Sequence, residues 1–228
     1  MGYKQIVFDV DGTLIDTEYA VIHSLQDTIR AINGKIISDK ELTFALGITG
    51  ENALQRLGVS DIASALFMWD KNMEKYRDTI TVFHGIKELL ETISELKLGI
   101  GIVTSKTHEE FRSDFQKFDI SSYFETVVCA DDTLQHKPEP DPLLKYMEWT
   151  KCQANELLYI GDSIYDMQCA KHANVNFGLA KWGAGNRVNA QKSFCTPFDL
   201  AKYLASTKSE YLIQASSKDS RASHARLC

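Results

Sequence analysis

The stretch Ile6–Thr17, "IVFDVDGTLIDT", joins a short apolar run to two acidic residues. The first three residues have the composition of a buried strand, and Asp9 and Asp11 follow where that strand would end. An ionised carboxylate that is buried without a partner is costly, so two of them here require a positive charge nearby. The stretch therefore predicts a strand whose carboxyl end carries a charged site.

The overall composition is that of a globular protein. The chain has 228 residues, of which 44% are hydrophobic and 25% charged, which allows one large domain or a domain with an insertion. The net charge of −6 and the lack of a long basic run argue against nucleic acid as a partner. No apolar run is long enough to span a bilayer, so we expect no membrane partner and a cytoplasmic location. The five cysteines form no CxxC pair, which favours reduced thiols.

Short apolar runs alternate with helical patterns along most of the chain. Two of the helical patterns are Ile86–Leu96 and Asp141–Trp149. The predicted strands are Lys4–Phe8, Gly99–Val103, Thr126–Ala130, Leu157–Ile160 and Val175–Leu179. Their nearly continuous hydrophobicity is typical of parallel strands that are covered on both faces. The pattern predicts an α/β fold with a doubly wound parallel sheet.

One segment interrupts this alternation. Residues 16–79 contain helical patterns and no convincing strand, so we expect an all-helical domain inserted after the first strand. The core domain then comprises residues 1–15 and 80–205. Residues 206–228 are polar and rich in serine, and we expect this tail to be disordered. The glycine-rich stretch of residues 181–186, "KWGAGN", is more typical of a turn.

Polar residues follow the predicted strands at the edge where open α/β sheets bind ligands. After four of these strands come Asp9, Asp11 and Gly12; Thr104, Ser105 and Lys106; Lys137; and Asp162, Ser163 and Asp166. Carboxylates, hydroxyls and lysine are therefore expected to converge there. Ser163 has the position of a helix N-cap.

The acidic residues of this set indicate a magnesium site. Hard oxygen ligands without a histidine or cysteine cluster favour Mg²⁺. We expect Asp9 and Asp162 to bind the metal through their carboxylates and Asp11 to bind it through its backbone carbonyl. Asp166 follows Asp162 by one helical turn and is expected to face the same point.

The remaining groups suit a phosphate. Thr104 and the neighbouring backbone N–H groups can bind phosphoryl oxygens, and Ser105 and Gly12 are assigned to the same phosphate-binding group. Lys137 supplies a positive charge for the phosphate and for the acids.

Asp9 and Asp11 are then expected to take different catalytic roles. Asp9 is the candidate nucleophile, which would form an aspartyl-phosphate. Asp11 is the candidate acid that protonates the leaving oxygen and then the base that activates water.

Four motifs in this order resemble those of the haloacid dehalogenase-like (HAD) hydrolases: "DVDGT", "VTS", "HKPEPD" and "YIGDSIYD". The resemblance covers residues 1–204. It implies a Rossmann-like core, magnesium-dependent phosphoryl transfer through an aspartyl-phosphate, and a helical insertion that acts as a cap. Within the superfamily the chain is most similar to the phosphoglycolate phosphatase and β-phosphoglucomutase group. The expected activity is hydrolysis of a small phosphomonoester, with a small phosphorylated metabolite as substrate and a monomer or weak dimer as the assembly.

Several alternatives stay open. A pyrophosphatase would use the same chemistry, and so would a sugar-phosphate mutase. The mutases of this group carry a histidine in the first cap helix and an arginine in a later cap loop, where this chain has Val21 and Gly50. His23 is two residues along the helix and is expected on another side. A receiver-like signalling module would be about half as long and would lack the helical insertion.

Two features of the insertion bear on substrate choice. The loop Gly47–Asn52, "GITGEN", is the expected specificity element. Trp69 is expected to lie in the core of the insertion and not to contact substrate.

Overall fold

The structure is a computed structural model, and it describes residues 2–184 and 188–208. The strands are β1 (Gln5–Phe8), β2 (Ile15–Asp16), β3 (Thr81–Val82), β4 (Gly99–Val103), β5 (Thr126–Val128), β6 (Leu157–Gly161), β7 (Asn176–Ala180) and β8 (Ser193–Phe194). Within the described residues, six of them form one parallel sheet in the order β5-β4-β1-β6-β7-β8. The expected α/β fold with a doubly wound, Rossmann-like parallel sheet is confirmed.

The helices are distributed between the sheet and one inserted segment. They are α1 (Glu18–Asn33), α2 (Asp39–Leu42), α3 (Gly50–Arg56), α4 (Ile62–Met73), α5 (Ile86–Glu95), α6 (His108–Asp114), α7 (Asp141–Thr150), α8 (Ile164–His172) and α9 (Lys181–Ala184). Residues 197–208 are also helical. Short 3₁₀ turns lie at Thr43–Ala45, Glu74–Thr79, Asp119–Tyr123, Ala130–Asp132 and Ala154–Glu156. No helix in the described part of the chain is long and apolar enough to cross a membrane.

Apolar side chains cover both faces of the sheet. Successive residues of a strand point to opposite faces, so Phe8 and Val7 of β1 enter different clusters. Phe8 packs in a cluster with the buried face of α5, including Leu89. Val7 packs in the other cluster with Tyr146 of α7 and residues of α8. Because helices cover both faces of the sheet, the side of the sheet that remains open is the one formed by the carboxyl ends of the strands; we refer to it as the open edge.

The helical segment enters and leaves the core through a pair of short strands. In the antiparallel pair of β2 and β3, Ile15 pairs with Val82 and Asp16 with Thr81. Helices α1 to α4 lie between these strands, and α1 packs against α4. The sequence analysis missed both strands because two residues give no detectable periodicity, and it missed β8 for the same reason.

Two hydrogen bonds between buried polar side chains join helices of the inserted segment. Trp69 Nε1 donates a hydrogen bond to Ser24 Oγ at 2.8 Å, and Asn72 Nδ2 donates one to Thr28 Oγ1 at 2.9 Å. These bonds join α4 to α1 and fix their register, because a buried donor left without a partner costs about 1–3 kcal/mol.

Two further expectations differ from the structure near the C-terminus. Residues 181–184 of the stretch "KWGAGN" form the helix α9 and not a turn, while its residues 185–186 lie outside the described residues. The helix over residues 197–208 extends three residues into the segment expected to be a tail. The rest of that segment, residues 209–228, lies outside the described residues.

Candidate active site

The register of the sheet places Asp9 at the centre of its open edge. Phe8 of β1 pairs with Ile102 of β4 on one side and with Ile160 of β6 on the other. The next residue, Asp9, donates its backbone N–H to the Ile160 carbonyl at 2.8 Å. The loops after β1, β4 and β6 therefore start side by side.

Lys137 connects this edge to α8 through a buried cluster. Its Nζ donates hydrogen bonds to Asp9 Oδ1 and Asp166 Oδ1, each at 2.8 Å, and to the Tyr159 hydroxyl at 2.9 Å. The Lys137 side chain is 1% exposed. Burial alone would lower the pKa of Lys137, but the Asp166 and Asp9 carboxylates outweigh it and raise the pKa above its usual value. Lys137 is therefore a permanent cation in this cluster.

The Asp9 carboxylate is buried, and only one of its two oxygens has a hydrogen-bond donor among the described residues. Burial raises its pKa to about 7, against the lowering effect of Lys137 and with a further raising effect of Asp166 and Asp11. Its Oδ2 atom is buried and accepts no hydrogen bond from the described residues. A buried carboxylate oxygen without a donor is costly, so this atom needs a positive partner.

Three carboxylates converge at this point. Asp9, Asp162 and Asp166 each place an oxygen within 4.8 Å of those of the other two. Lys137 is the cation next to these three carboxylates, so the group carries a net charge of −2 when every member is ionised. A divalent cation would balance that charge, and an all-oxygen donor set is the one that Mg²⁺ prefers. The donor set and the unpartnered oxygen of Asp9 therefore fit the expected metal.

The two acids near the start of α8 have different surroundings. Asp162 accepts a hydrogen bond from Thr13 Oγ1 at 3.4 Å. Asp166 is fully buried; its Oδ2 accepts bonds from the backbone N–H and the hydroxyl of Ser163, while its Oδ1 contacts Lys137. The expected N-cap role of Ser163 is present, since its hydroxyl accepts from the Asp166 N–H at 3.1 Å. Asp166 thus has partners at both oxygens.

Asp11 faces a second lysine and lies outside the group of three carboxylates. Its Oδ1 is 3.2 Å from Lys106 Nζ, in ion-pair contact but without hydrogen-bond geometry. Lys106 also donates a hydrogen bond to Asp114 Oδ2 of α6 at 2.8 Å. Burial lowers the pKa of Lys106, but Asp11 and Asp114 outweigh it and raise the pKa above its usual value. The side chains of Asp11, Lys106 and Asp114 therefore form a second charged chain at the same edge.

Besides Lys137, the three other expected phosphate-binding residues, Thr104, Ser105 and Gly12, each have a hydrogen-bond partner within the protein. Thr104 follows β4 and is buried, and its backbone N–H donates to Val128 O. The Ser105 hydroxyl donates to the Gly47 carbonyl of the helical segment at 3.0 Å. The Gly12 N–H donates to Ile15 O at 2.8 Å, and a Cβ on this residue, whose φ is +72°, would overlap the Asp162 carboxylate. Gly12 therefore permits the close approach of two loops.

Sequence reasoning missed the roles of three residues of this site. Lys106 was identified only as a residue that follows a strand, and Asp114 and Tyr159 were not identified at all. The position of Tyr159 could have indicated its role. It lies in β6, two residues before the end of the strand, and its side chain is on the same face of the sheet as Val7. Asp114 gave no signal, because an acidic residue in a helix is ordinarily solvated.

The helical segment lies over this edge and forms part of the wall of an open cavity of about 560 Å³. Asp9 and Asp11 contribute to its floor, and Trp69 contributes to its opposite wall. Trp69 is thus both a buried core residue, as expected, and a lining residue, which was not expected. Trp182 of α9 donates its Nε1–H to Thr13 O at 2.8 Å, so the stretch "KWGAGN" also contacts the loop after β1.

The comparisons with known proteins agree with this geometry. A family model described as "Haloacid dehalogenase-like hydrolase" matches residues 6–180. A protein of Caldanaerobacter subterraneus named "Putative pyrophosphatase PpaX" is 33% identical over 215 residues, which cover 94% of this chain and 91% of that protein. The "Pyrophosphatase PpaX" of Oceanobacillus iheyensis is 26% identical and covers 85% of this chain and 90% of its own length.

Solved structures of similar proteins share this fold. A crystal structure from Lactobacillus plantarum described as a "putative phosphoglycolate phosphatase" superposes with a TM-score of 0.79 at 31% identity, covering 89% of this chain and 99% of that one. A hydrolase from Pseudomonas syringae superposes with the same TM-score at 25% identity, covering 90% and 98%.

Proposed function

The chain belongs to the haloacid dehalogenase-like hydrolases, and we propose that it is a magnesium-dependent phosphatase that hydrolyses a small phosphomonoester through a phosphorylated Asp9. One observation carries this proposal. The buried Oδ2 of Asp9 has no hydrogen-bond donor among the described residues, although Lys137 and two further carboxylates surround the side chain. This arrangement supports a site built for a cation and a phosphoryl group.

Asp9, Asp162 and the backbone carbonyl of Asp11 are the proposed ligands of the metal. When bound, Mg²⁺ would neutralise charge on the transferring phosphoryl group and keep Asp9 ionised. Asp166, the fourth expected ligand, has donors at both of its oxygens. We therefore assign it mainly to the orientation of Lys137.

The first chemical step uses Asp9 as the nucleophile. An oxygen of its carboxylate forms a bond to phosphorus while the bond from phosphorus to the ester oxygen breaks. Asp11 donates its proton to that departing oxygen, which leaves as an alcohol. The Lys137 ammonium, held 2.8 Å from Asp9, stabilises the charge on the phosphoryl oxygens together with Thr104 and adjacent backbone N–H groups.

The second step restores Asp9. Asp11, now ionised, accepts a proton from a water molecule, whose oxygen attacks the phosphorus of the aspartyl-phosphate. The bond between phosphorus and the Asp9 oxygen breaks, and inorganic phosphate is released. Because Asp11 lies outside the group of three carboxylates, its carboxylate is available for both proton transfers.

The helical segment is the proposed cap, with the boundaries 16–79 expected from the sequence. It contributes to the wall of the cavity above Asp9 and contacts the core through the hydrogen bond from Ser105 to Gly47. Movement of the cap toward the core around a bound substrate would exclude bulk water from the phosphoryl group and strengthen the interactions of its charges.

The alternatives differ in how the site would bind the rest of the substrate. A mutase would need a cap group to hold a second phosphate or to move a proton, and Val21 and Gly50 offer neither. His23 does not replace them, because its ring stacks on Tyr19 and its Nδ1 lies 2.9 Å from the Tyr19 carbonyl. A pyrophosphatase is the activity named for the relatives above, and it is the second candidate. The receiver-like module is excluded by the family to which the chain belongs.

A phosphatase assay with paired variants tests the proposal. Release of p-nitrophenol from p-nitrophenyl phosphate should require Mg²⁺ and stop in EDTA. Asp9→Asn should abolish turnover and form no phosphoenzyme. Asp11→Asn should lower turnover by about a hundredfold or more and should accumulate aspartyl-phosphate, which intact-protein mass spectrometry detects after an acid quench. Undiminished turnover in EDTA, or a phosphoenzyme on Asp9→Asn, would overturn the proposed mechanism.

A further inference from the structure

The cavity above Asp9 has two walls of different chemistry. The wall formed by the helical segment is mainly apolar. Its lining side chains include Val21, Ile48, Leu66, Phe67, Trp69 and Met73. An apolar wall of this extent favours a leaving group with hydrocarbon surface over a compact, fully charged one.

The rest of the cavity wall is acidic. Beyond Asp9 and Asp11 its carboxylates come from both the core and the helical segment. They are Glu51, Asp70, Glu109, Glu110, Asp114 and Asp131. An anionic leaving group would lie among like charges next to an apolar surface, which is unfavourable on both counts.

Only one lysine or arginine lines the cavity within the described residues, and its charge is already neutralised. Lys106 is 2.8 Å from Asp114 and 3.2 Å from Asp11, and all three side chains are buried or nearly so. The Lys106 ammonium donates a hydrogen bond to Asp114 at 2.8 Å, so the carboxylate of Asp114 compensates the charge of Lys106 directly. Asp114 also lies 3.5 Å from Arg77 Nε, which fixes its carboxylate from the other side.

We propose that this cavity selects phosphomonoesters whose leaving alcohol is neutral or cationic and partly apolar, and that Asp114 determines this preference by neutralising Lys106. The inference rests on the phosphatase activity proposed above and specifies its substrate class. Pyrophosphate and esters that carry a carboxylate next to the scissile bond are then poor substrates. This is a distinction from the relatives named as pyrophosphatases.

A matched pair of esters isolates the effect of charge. Phosphoglycolate and phosphoglycolamide have the same number of heavy atoms and differ in one negative charge. We expect kcat/KM for the amide to exceed that for the carboxylate at least about tenfold. Phosphoethanolamine should be used at least as well as the amide, and pyrophosphate should be used less well. All four substrates are assayed at the same pH.

Variants then test the residue that sets the preference. Asp114→Asn should remove one of the two negative charges that contact Lys106 and raise the ratio of kcat/KM for phosphoglycolate over phosphoglycolamide about fivefold or more. The ratio is diagnostic, because a change that merely disturbs Asp11 affects both esters alike. Since Asp114 is buried, Glu109→Gln on the exposed rim of the cavity provides a second variant with a smaller shift in the same direction. Glu91→Gln, exposed on α5 and absent from the cavity wall, is the matched control and should leave the ratio unchanged.

The outcomes separate this inference from the proposed function. If the wild-type enzyme uses phosphoglycolate or pyrophosphate as well as phosphoglycolamide, the preference is wrong and the phosphatase mechanism stands. If the preference holds but neither Asp114→Asn nor Glu109→Gln shifts the ratio, the role of Asp114 is wrong. If no ester is hydrolysed with Mg²⁺, including p-nitrophenyl phosphate, the proposed function and the inference that rests on it both fail.

Discussion

Lys137 Nζ lies 2.8 Å from Oδ1 of Asp9, and these side chains are 1% and 2% exposed. The lysine therefore compensates a buried carboxylate that the proposed mechanism requires. Removing one partner of a buried ion pair leaves the other charge without compensation, which typically costs about 3–5 kcal/mol. This relationship makes the active site and the stability of the sheet depend on the same contact.

Lys137→Met should accordingly abolish turnover and lower the free energy of unfolding by about 3–5 kcal/mol, measured by denaturant titration. The matched control is Lys145→Met. Lys145 pairs with Glu148 at 3.1 Å on the exposed side of α7, and such a surface pair contributes about 0–1 kcal/mol. Equal stability losses in the two variants would show that Lys137 does not compensate Asp9.

The two acids at the start of α8 should differ in their effect on metal binding. Asp162→Asn should remove the increase in melting temperature that Mg²⁺ produces, because it removes a proposed ligand. Asp166→Asn should weaken the apparent affinity for Mg²⁺ by less than about tenfold and should lower kcat instead, because its oxygens are occupied by Ser163 and Lys137. A melting temperature that responds to Mg²⁺ equally in both variants would contradict this division of roles.

Binding of Mg²⁺ should depend on pH through Asp9. Burial raises the pKa of Asp9 to about 7, so without metal the folded state binds a proton that the unfolded chain releases near pH 4. The contribution of Asp9 to stability therefore falls as the pH rises through that window, and a cation that replaces the proton restores it.

The stabilisation by Mg²⁺ should accordingly be larger at pH 8 than at pH 6, and the apparent affinity at pH 6 should be about tenfold weaker. Thermal unfolding with and without Mg²⁺ measures both. Asp9→Asn serves as the control, because it should lose this pH dependence. The same stabilisation at pH 6 and pH 8 in the wild-type protein would remove Asp9 from the metal site.

Closure of the proposed cap should depend on Gly47. Its φ is +89°, and a Cβ there would lie 2.7 Å from Ser163 Oγ, so a side chain would separate the helical segment from the core. Gly47→Ala should lower kcat/KM about tenfold. Gly34→Ala is the matched control, since Gly34 has a φ of +73° with no atom within 4 Å of a built Cβ. It should share the backbone strain and retain activity, and equal activity of the two variants would mean that this contact does not matter.

The sequence predicted the parts of the site that depend on strand order. Asp9 and Asp162 each follow an apolar run, and parallel strands bring their carboxyl ends to one edge. Their proximity therefore follows from topology alone. The α6 capping box between Thr107 and Glu110 was predictable for a similar reason, because it depends only on local spacing.

The parts that the sequence did not predict depend on long side chains or on very short elements. Lys106 and Asp114 are eight residues apart on a loop and a helix, and their ion pair forms only because α6 turns Asp114 inward. The two-residue strands β2 and β3 are defined by their pairing across the inserted helices and not by a local pattern. Such contacts belong to the tertiary structure, which local periodicity does not describe.

The central position of β1 has a consequence for biosynthesis. This strand is made first, yet its hydrogen-bonding neighbours β4 and β6 begin at residues 99 and 157. Both edges of this apolar strand lack hydrogen-bond partners until β4 and β6 have been synthesised, so the strand is exposed during translation. Its pairing is slow, because contacts with a large sequence separation form late in folding.

The nascent chain can pair both edges of β1 only when β6 has left the ribosome. By then the inserted helices have already been made, and their local contacts can form without the core. Chaperones that bind emerging chains would therefore be expected to hold β1 before the other strands of the sheet. A circular permutant that begins with the inserted helices, and so delivers β1 last, would remove that delay.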